Sequence, residues 1–233
     1  MKIKFYLADP LGKAFPPLPA NSLIPEWYKK MDIEVSSKKH PGQVGNFSVK
    51  RCMPVLDYMS SGYIIRNIYD IVVKRSWDNQ YGEDINLDFK FAGEISPIEF
   101  HAEDQMPIMY NGHKKKLCKF NGFWCAETPP GYSCLFYQPE YFNETRFKVF
   151  PGIVDTDEFN EPVSFPFIFS NTTNEEEYTI EAGTPLVCLM PFKRESWEHE
   201  ILDYDKNNKT SVLMKTIWRE PYRKLMHRKK SFK

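Results

Sequence analysis

The chain has 233 residues, enough to bury a full core, and its 18 Pro and 11 Gly are scattered rather than gathered into a linker. Acidic and basic residues number 31 each, so net charge is zero and a body drawn as a whole to nucleic acid or to a membrane surface is excluded. Aromatics reach 15% and fall in short runs bounded by Pro, Gly, Asn and Asp, which suits many short strands better than long helices.

The opening stretch, MKIKFYLADP, lacks the apolar run of a signal peptide, and no later stretch approaches the length of a membrane span. A reducing cytoplasm is therefore expected, and the Asn-X-Ser/Thr triplets at Asn46, Asn143, Asn171 and Asn208 carry no meaning there. Residues 10–31 begin as a Pro-rich extended arm. IPEWYKKM then reads as a helical turn with Pro25 at its first position and Trp27, Tyr28 and Met31 on one side. That stripe serves either as a strap packed on the core or as a partner-binding arm, which makes Trp27 and Tyr28 candidate contact residues. Residues 32–50 are polar and read as a loop.

Residues 52–75 carry a turn at Ser60-Ser61-Gly62 followed by YIIRNIYDIVV, rich in β-branched and aromatic residues. In 84–93, Ile85, Leu87, Phe89 and Phe91 alternate with the period of a half-buried strand. Residues 113–128 read as one further strand with a basic lead-in, and 131–139, 163–171 and 184–192 as three more. The five cysteines, Cys52, Cys118, Cys125, Cys134 and Cys188, are odd in number and show no paired spacing. The gaps between His113, Cys118 and Cys125 match no zinc pattern, so buried thiols and no metal are expected. There is neither a phosphate-binding nor a dinucleotide-binding glycine pattern.

The end of the chain departs from this neutrality. Residues 211–227 have helical spacing through Leu213, Ile217 and Trp218, interrupted by Pro221. Arg219, Arg223, Lys224, Arg228, Lys229, Lys230 and Lys233 then face one acid, Glu220. This is a solvated charged end, or an anchor on an acidic protein neighbour. A nucleic acid is also open, with salt-sensitive phosphate contacts and stacking on Trp218, Tyr222 and Phe232, but nothing there selects bases.

From residue 128 onward three motifs follow in order: TPPGYSCLFYQP, PGIVDTDEFNEPVSFPFIFSN and YTIEAGTPLVCLMPF. Their order resembles the β-clip core of trimeric dUTPases and dCTP deaminases, which carry a PPGY turn, a GVIDxDY hairpin and a GdrIaQ strand. Residues 52–192 share the resemblance, with PVLDYMSSGYIIRNIYDIVV placed at the first core strands. The whole chain also resembles an uncharacterised family of tailed-phage and bacterial proteins, which supplies no activity.

In the dUTPase family the first hairpin acid meets the sugar 3′-hydroxyl region and activates the attacking water. The resemblance puts Asp155 there as candidate catalytic base, a role a carboxylate within reach of a water can fill. Asp157 matches the second hairpin acid, and Phe159, one residue late, the aromatic beneath the sugar. Gly152 and Tyr132 belong to the same motifs and complete the candidate ligand-binding set. Several departures weigh against turnover. The family's phosphate-binding Arg-Ser stretch is replaced by YQPEYFNE, where Glu140 would repel a triphosphate. The GdrIaQ strand reads Gly183-Thr184-Pro185-Leu186-Val187-Cys188, and 196–233 is not the Gly-rich arm that closes over phosphates in those families. The deaminases' catalytic acid and Arg have no counterparts.

The expectation is a mainly β protein, a dUTPase-like β-clip barrel with an N-terminal Pro-rich arm and a C-terminal basic helical tail. It divides into an arm and strap (1–50), a β-clip core (51–195) and the tail (196–233), all one structural domain. The resemblances imply a homotrimer, in the host cytoplasm or a virion. They imply a non-catalytic, phage-related structural or interaction component, with a nucleotide-binding or dUTPase-type pyrophosphatase as the alternative. No cofactor is expected, and Mg²⁺ only for a nucleotide hydrolase.

Overall fold

A computed structural model describes residues 1–34, 47–78, 82–89, 96–102, 105, 109–110, 113–114, 116–170, 177–205, 209–216 and 222–233. In chain order its elements are β1 (Lys4–Leu7), β2 (Leu18–Pro19), α1 (Glu26–Lys30), α2 (Met53–Ser60), β3 (Tyr63–Arg66), β4 (Ile71–Asp78), β5 (Gly82–Asp88), β6 (Ile98–Phe100), β7 (Met109–Tyr110) and β8 (His113–Lys114). They continue with β9 (Leu117–Phe120), β10 (Trp124–Glu127), β11 (Tyr132–Tyr137), β12 (Phe147–Val149), β13 (Gly152–Val154), β14 (Phe165–Phe169), β15 (Glu177–Ile180), β16 (Pro185–Lys193) and α3 (Lys209–Thr216). A single π-helical turn spans Tyr222–Met226.

The protein is mainly β. The strands pair antiparallel into sheets ordered β13-β11-β16-β3-β2, β12-β14-β9-β6 and β15-β4-β5, with the pairs β1-β10 and β7-β8 beside them. Among the described residues each sheet, as hydrogen-bonded, is open rather than part of one closed barrel. Alternation sets the faces: in β11, Cys134 and Phe136 point to the core, while Leu135 and Tyr137 point away from it and are only half-buried. The three larger sheets share one apolar core, whose centre is aromatic. Phe120 stacks on Phe167 with centroids 3.8 Å apart, Phe147 meets Phe120 edge-on at 5.4 Å, and Phe136 reaches Phe165 at 5.7 Å from the neighbouring sheet.

Three segments differ from the sequence reading. Met53–Ser60, which the resemblance places among the first core strands, is a helix. Pro54 fits its first turn, and Val55, Leu56 and Met59 recur at helical spacing, with Met59 1% exposed. Residues 113–128 make three strands rather than one. The break falls at Asn121-Gly122, where a Cβ on Gly122 would lie 2.3 Å from the carbonyl oxygen of Val163, so the chain turns where only glycine lets the two backbones approach. Phe147–Val149 forms a short strand that its sequence does not announce. The alternation in 84–93 is met by β5 as far as Asp88; Phe91 lies outside the described residues, as do Ile217, Trp218, Arg219 and Pro221.

The N-terminal arm packs rather than projects. β2 pairs with β3, Ala20 is 1% exposed, Tyr28 is buried, and the Trp27 indole N–H donates to the Tyr141 carbonyl at 2.9 Å. Among the described residues no helix is long and apolar enough to cross a membrane.

Phe167 is fully buried, stacked on Phe120 and met edge-on by Phe147 and Phe169. Phe167→Ala is expected to cost about 3–5 kcal/mol in denaturant unfolding and to lower Tm by roughly 10 °C. A loss below about 1 kcal/mol would show that the aromatic centre collapses to fill the cavity.

Candidate functional site

The hairpin PGIVDTD lies at one edge of the five-stranded sheet. β13 pairs with β11 with Val154 opposite Cys134, Ile153 opposite Leu135 and Gly152 opposite Phe136. Before β11, the Pro-Pro-Gly turn places Gly131 at φ +83°, a left-handed conformation that glycine adopts without penalty. This points the Gly131 N–H at Asp157, whose Oδ2 accepts it at 2.7 Å. The third segment is the end of β16. The Arg194 N–H donates to the Gly131 carbonyl at 2.8 Å, which swings the guanidinium over the hairpin.

Arg194 then forks onto Asp157, Nη1 to Oδ1 and Nη2 to Oδ2, each at 2.6 Å. Nη1 also donates to the Ser133 hydroxyl at 3.1 Å and to the Tyr132 carbonyl at 3.2 Å. Ser133 in turn donates to Asp155 Oδ1 at 2.6 Å, and Arg194 Nη1 lies 3.3 Å from that same oxygen. Beneath the clamp a small hydroxyl network closes the hairpin. Thr128 and Thr156 hydroxyls meet at 2.8 Å, Thr128 donates its N–H to the Thr156 carbonyl, and Thr156 reaches the Cys134 sulfur at 3.2 Å.

The two hairpin acids thus have different environments. The Asp157 side chain is 3% exposed, and the Arg194 fork followed by the Gly131 N–H holds its carboxyl down to about 2, against the resistance of burial. The same pairing raises Arg194 further above its ordinary range. The Asp155 side chain is 61% exposed and both its contacts fall on Oδ1, so one carboxylate oxygen faces solvent.

The structure gathers Asp155, Asp157 and the Tyr132 carbonyl around the Arg194 guanidinium, while Gly152, opposite Phe136, lies at the other end of β13. Phe159 follows one turn later, 44% exposed, with its N–H donating to the Asp155 carbonyl at 2.8 Å. It does not bring the partner-binding candidates there. Trp27 and Tyr28 sit on α1 against Tyr141 and Lys50. In the tail, His227 Nε2 lies 3.0 Å from Asp57 on α2 and Lys230 pairs with the same carboxylate, while Tyr63 donates to the Lys233 carbonyl. Arg223, Lys224, Arg228 and Lys229 are exposed, and Arg219 lies outside the described residues. Cys118 and Cys125 stand in different sheets, and the described residues contain no group of three or more His, Cys, Asp or Glu side chains placed to hold a metal.

Arg194, Ser133, Thr128 and Thr156 were not singled out from the sequence. The basic pair in PFKRESW, directly after an apolar strand, was the available signal for Arg194.

No family model matches the chain, and no curated protein matches it. Solved structures do. A dUTPase from phage phi11 of S. aureus aligns at 9% identity, covering 89% of this chain and 100% of that one, with a TM-score of 0.39. A variant dUTPase of Staphylococcus bacteriophage 80alpha aligns at 9% identity over 88% of this chain and 97% of that one, TM-score 0.39. The EIAV dUTPase aligns at 9% identity over 64% of this chain and 86% of that one, TM-score 0.33.

The depressed Asp157 carboxyl gives a pH signature. Its folded value of about 2 lies below the ordinary 3.8, so its contribution is complete above the ordinary value and is lost as pH falls through about 2. The Tm difference between wild type and Asp157→Asn should therefore be constant above about pH 5 and shrink steadily between about pH 4 and 2. A difference that does not change across that window would remove Asp157 from the clamp.

Proposed function

We propose that this chain is a non-catalytic β-clip protein that acts by association, as a structural or interaction component. One observation carries the reading: the chain supplies its own cation to the hairpin acids. Arg194 forks onto Asp157 and stands 3.3 Å from Asp155, so the positive charge that would otherwise meet a phosphate is already engaged. A triphosphate in transit needs cations or several N–H donors around its developing charge. Among the described residues the salt bridges to this acid pair come from Arg194. Glu140, exposed on the turn after β11, adds like charge where the related families put a phosphate ligand.

The setting we assign is a homo-oligomer, with a trimer as the expected form, in the cytoplasm of a host cell or in a virion. The phage connection rests on the whole-chain sequence resemblance. The exposed basic residues Arg223, Lys224, Arg228 and Lys229 support contact with an acidic partner surface.

A second reading, a dUTPase-type nucleotide pyrophosphatase, draws on the open oxygen of Asp155 beside the Ser133 hydroxyl. In that case Asp155 would take the proton of the attacking water. Mg²⁺ would arrive with the triphosphate as part of the substrate, since this hairpin offers a single open carboxylate and Mg²⁺ prefers an octahedron of oxygens.

The two readings separate in one assay. With Mg²⁺ and either dUTP or dCTP, the expected result is no pyrophosphate release and no rise in Tm at millimolar nucleotide, since a ligand that binds the native state must stabilise it. Pyrophosphate release that disappears in Asp155→Asn would replace the first reading with the second. A nucleotide-dependent rise in Tm without release would make the protein a nucleotide binder.

A further inference from the structure

Residues 222–233 are held against the N-terminal third of the chain at three places. On α2, the Asp57 carboxylate lies 3.0 Å from His227 Nε2 and pairs with Lys230. On β3, the Tyr63 hydroxyl donates to the Lys233 carbonyl at 3.2 Å, and the Tyr63 ring meets Phe232 edge-on at 6.0 Å. At the start of the tail, burial pushes the Tyr28 hydroxyl of α1 up while the charge of Arg223 pulls it back, so Arg223 stands within charge range of α1.

α1 brings cations of its own to that place. Lys29 and Lys30 form its last turn, and Lys50 reaches across to the Lys29 and Met31 carbonyls at 2.8 and 2.9 Å. Residues 26–34, 47–60 and 222–233 together hold ten Lys and Arg against four acids, a surplus of six in a chain whose total charge is zero. Two of those acids are engaged from within, Glu26 by Lys29 at 2.8 Å and Asp57 by the tail, which leaves Asp32 and Glu34. Among the described residues Lys30, Lys224, Arg228 and Lys229 are exposed and enter no salt bridge. Cations far apart in sequence are thus gathered by folding, and Asp57 is the residue that fastens the two groups together.

We infer that the end of α1 and the tail form one basic face that binds the phosphate backbone of a nucleic acid without reading its sequence. The composition of the face favours this partner over an acidic protein. Protein interfaces are poor in Lys and need an apolar centre, whereas nucleic-acid interfaces are polar and strongly positive. Here the available groups are chiefly lysines, and phosphate contacts need no more than such charges at the surface. This inference rests on the association reading above and names its partner.

Fluorescence anisotropy on the full chain with a labelled DNA duplex of random sequence tests it. Wild type is expected to bind in roughly the micromolar range at about 50 mM salt and to lose roughly a hundredfold by about 200 mM, as about four phosphate contacts require. Lys30→Gln on α1 should weaken binding and make the salt slope shallower by about one, because α1 belongs to the same face. Lys224→Gln/Arg228→Gln/Lys229→Gln should weaken it roughly a hundredfold at low salt. The substituted side chains are exposed, so both variants should keep the wild-type circular dichroism spectrum. Asp57→Asn removes a negative charge, yet it should bind DNA several-fold more weakly, since a freed tail must be ordered again on binding. Tighter binding by Asp57→Asn, or a Lys30→Gln salt slope equal to that of wild type, would overturn the gathered face. If wild type fails to bind DNA at low salt, or binds polyglutamate or phosphatidylserine vesicles as tightly as DNA, the nucleic-acid assignment is overturned while the association reading stands. Pyrophosphate release from dUTP or dCTP would instead remove the association reading and leave this surface as it is.

Discussion

The arrangement around the hairpin depends on one fork, the Arg194 guanidinium on the Asp157 carboxylate. The Asp157 carboxylate lies under a guanidinium that is itself 37% exposed, so the pair is a partly solvated clamp whose strength comes from its two-pronged geometry rather than from deep burial. The geometry also selects arginine. Two parallel N–H donors meet two oxygens at 2.6 Å, while a further N–H of the same group reaches Ser133 and Tyr132. A lysine ammonium is a point charge and could not make that set. Gly131 completes the joint from both sides, its N–H on Asp157 and its carbonyl on the Arg194 N–H. The turn before β11, the loop after β13 and the exit of β16 are therefore fixed as a unit.

This joint sits where the core ends, and alternation along β11 draws the boundary. Cys134 and Phe136 enter the aromatic core, while Ser133 is enclosed by the clamp instead. The Thr128–Thr156–Cys134 network occupies the layer between, with its hydroxyls satisfied by one another and by backbone. A buried polar layer that is fully bonded rigidifies its surroundings. The hairpin is thus a stiff element with Asp155 at its rim, where a carboxylate oxygen meets solvent but the neighbouring positive charge is committed inward.

Several core strands are readable in the sequence as short apolar and aromatic runs with turn residues at each end. Tyr132–Tyr137 and Phe165–Phe169 fall inside the expected runs 131–139 and 163–171, and Pro185–Lys193 overruns 184–192 by one residue. The hairpin acids were readable too, since Asp beside Gly and Pro marks a turn. What escaped depended on distant partners. The break at Gly122 exists because the Val163 carbonyl passes close by, and nothing local to Asn121-Gly122 records that approach. Arg194 lies 37 residues from Asp157 and 61 from Ser133, so its role became visible only when three strands were laid side by side. In Met53–Ser60 the family pattern points to a strand while the spacing of Val55, Leu56 and Met59 is helical, and the local spacing prevails.

Net charge zero conceals a segregation that bears on how the molecule meets its surroundings. The 31 acids and 31 bases balance overall, yet five acids crowd residues 195–205 and six cations residues 223–233. Within residues 195–205 the like charges repel one another. The root of that segment is constrained, because the residue before it is Arg194, held at both backbone and side chain. The fork that takes charge away from Asp155 thereby also fixes where the acidic segment leaves the body, so one residue both occupies the place of a phosphate's cation and joins the exit of β16 to the hairpin.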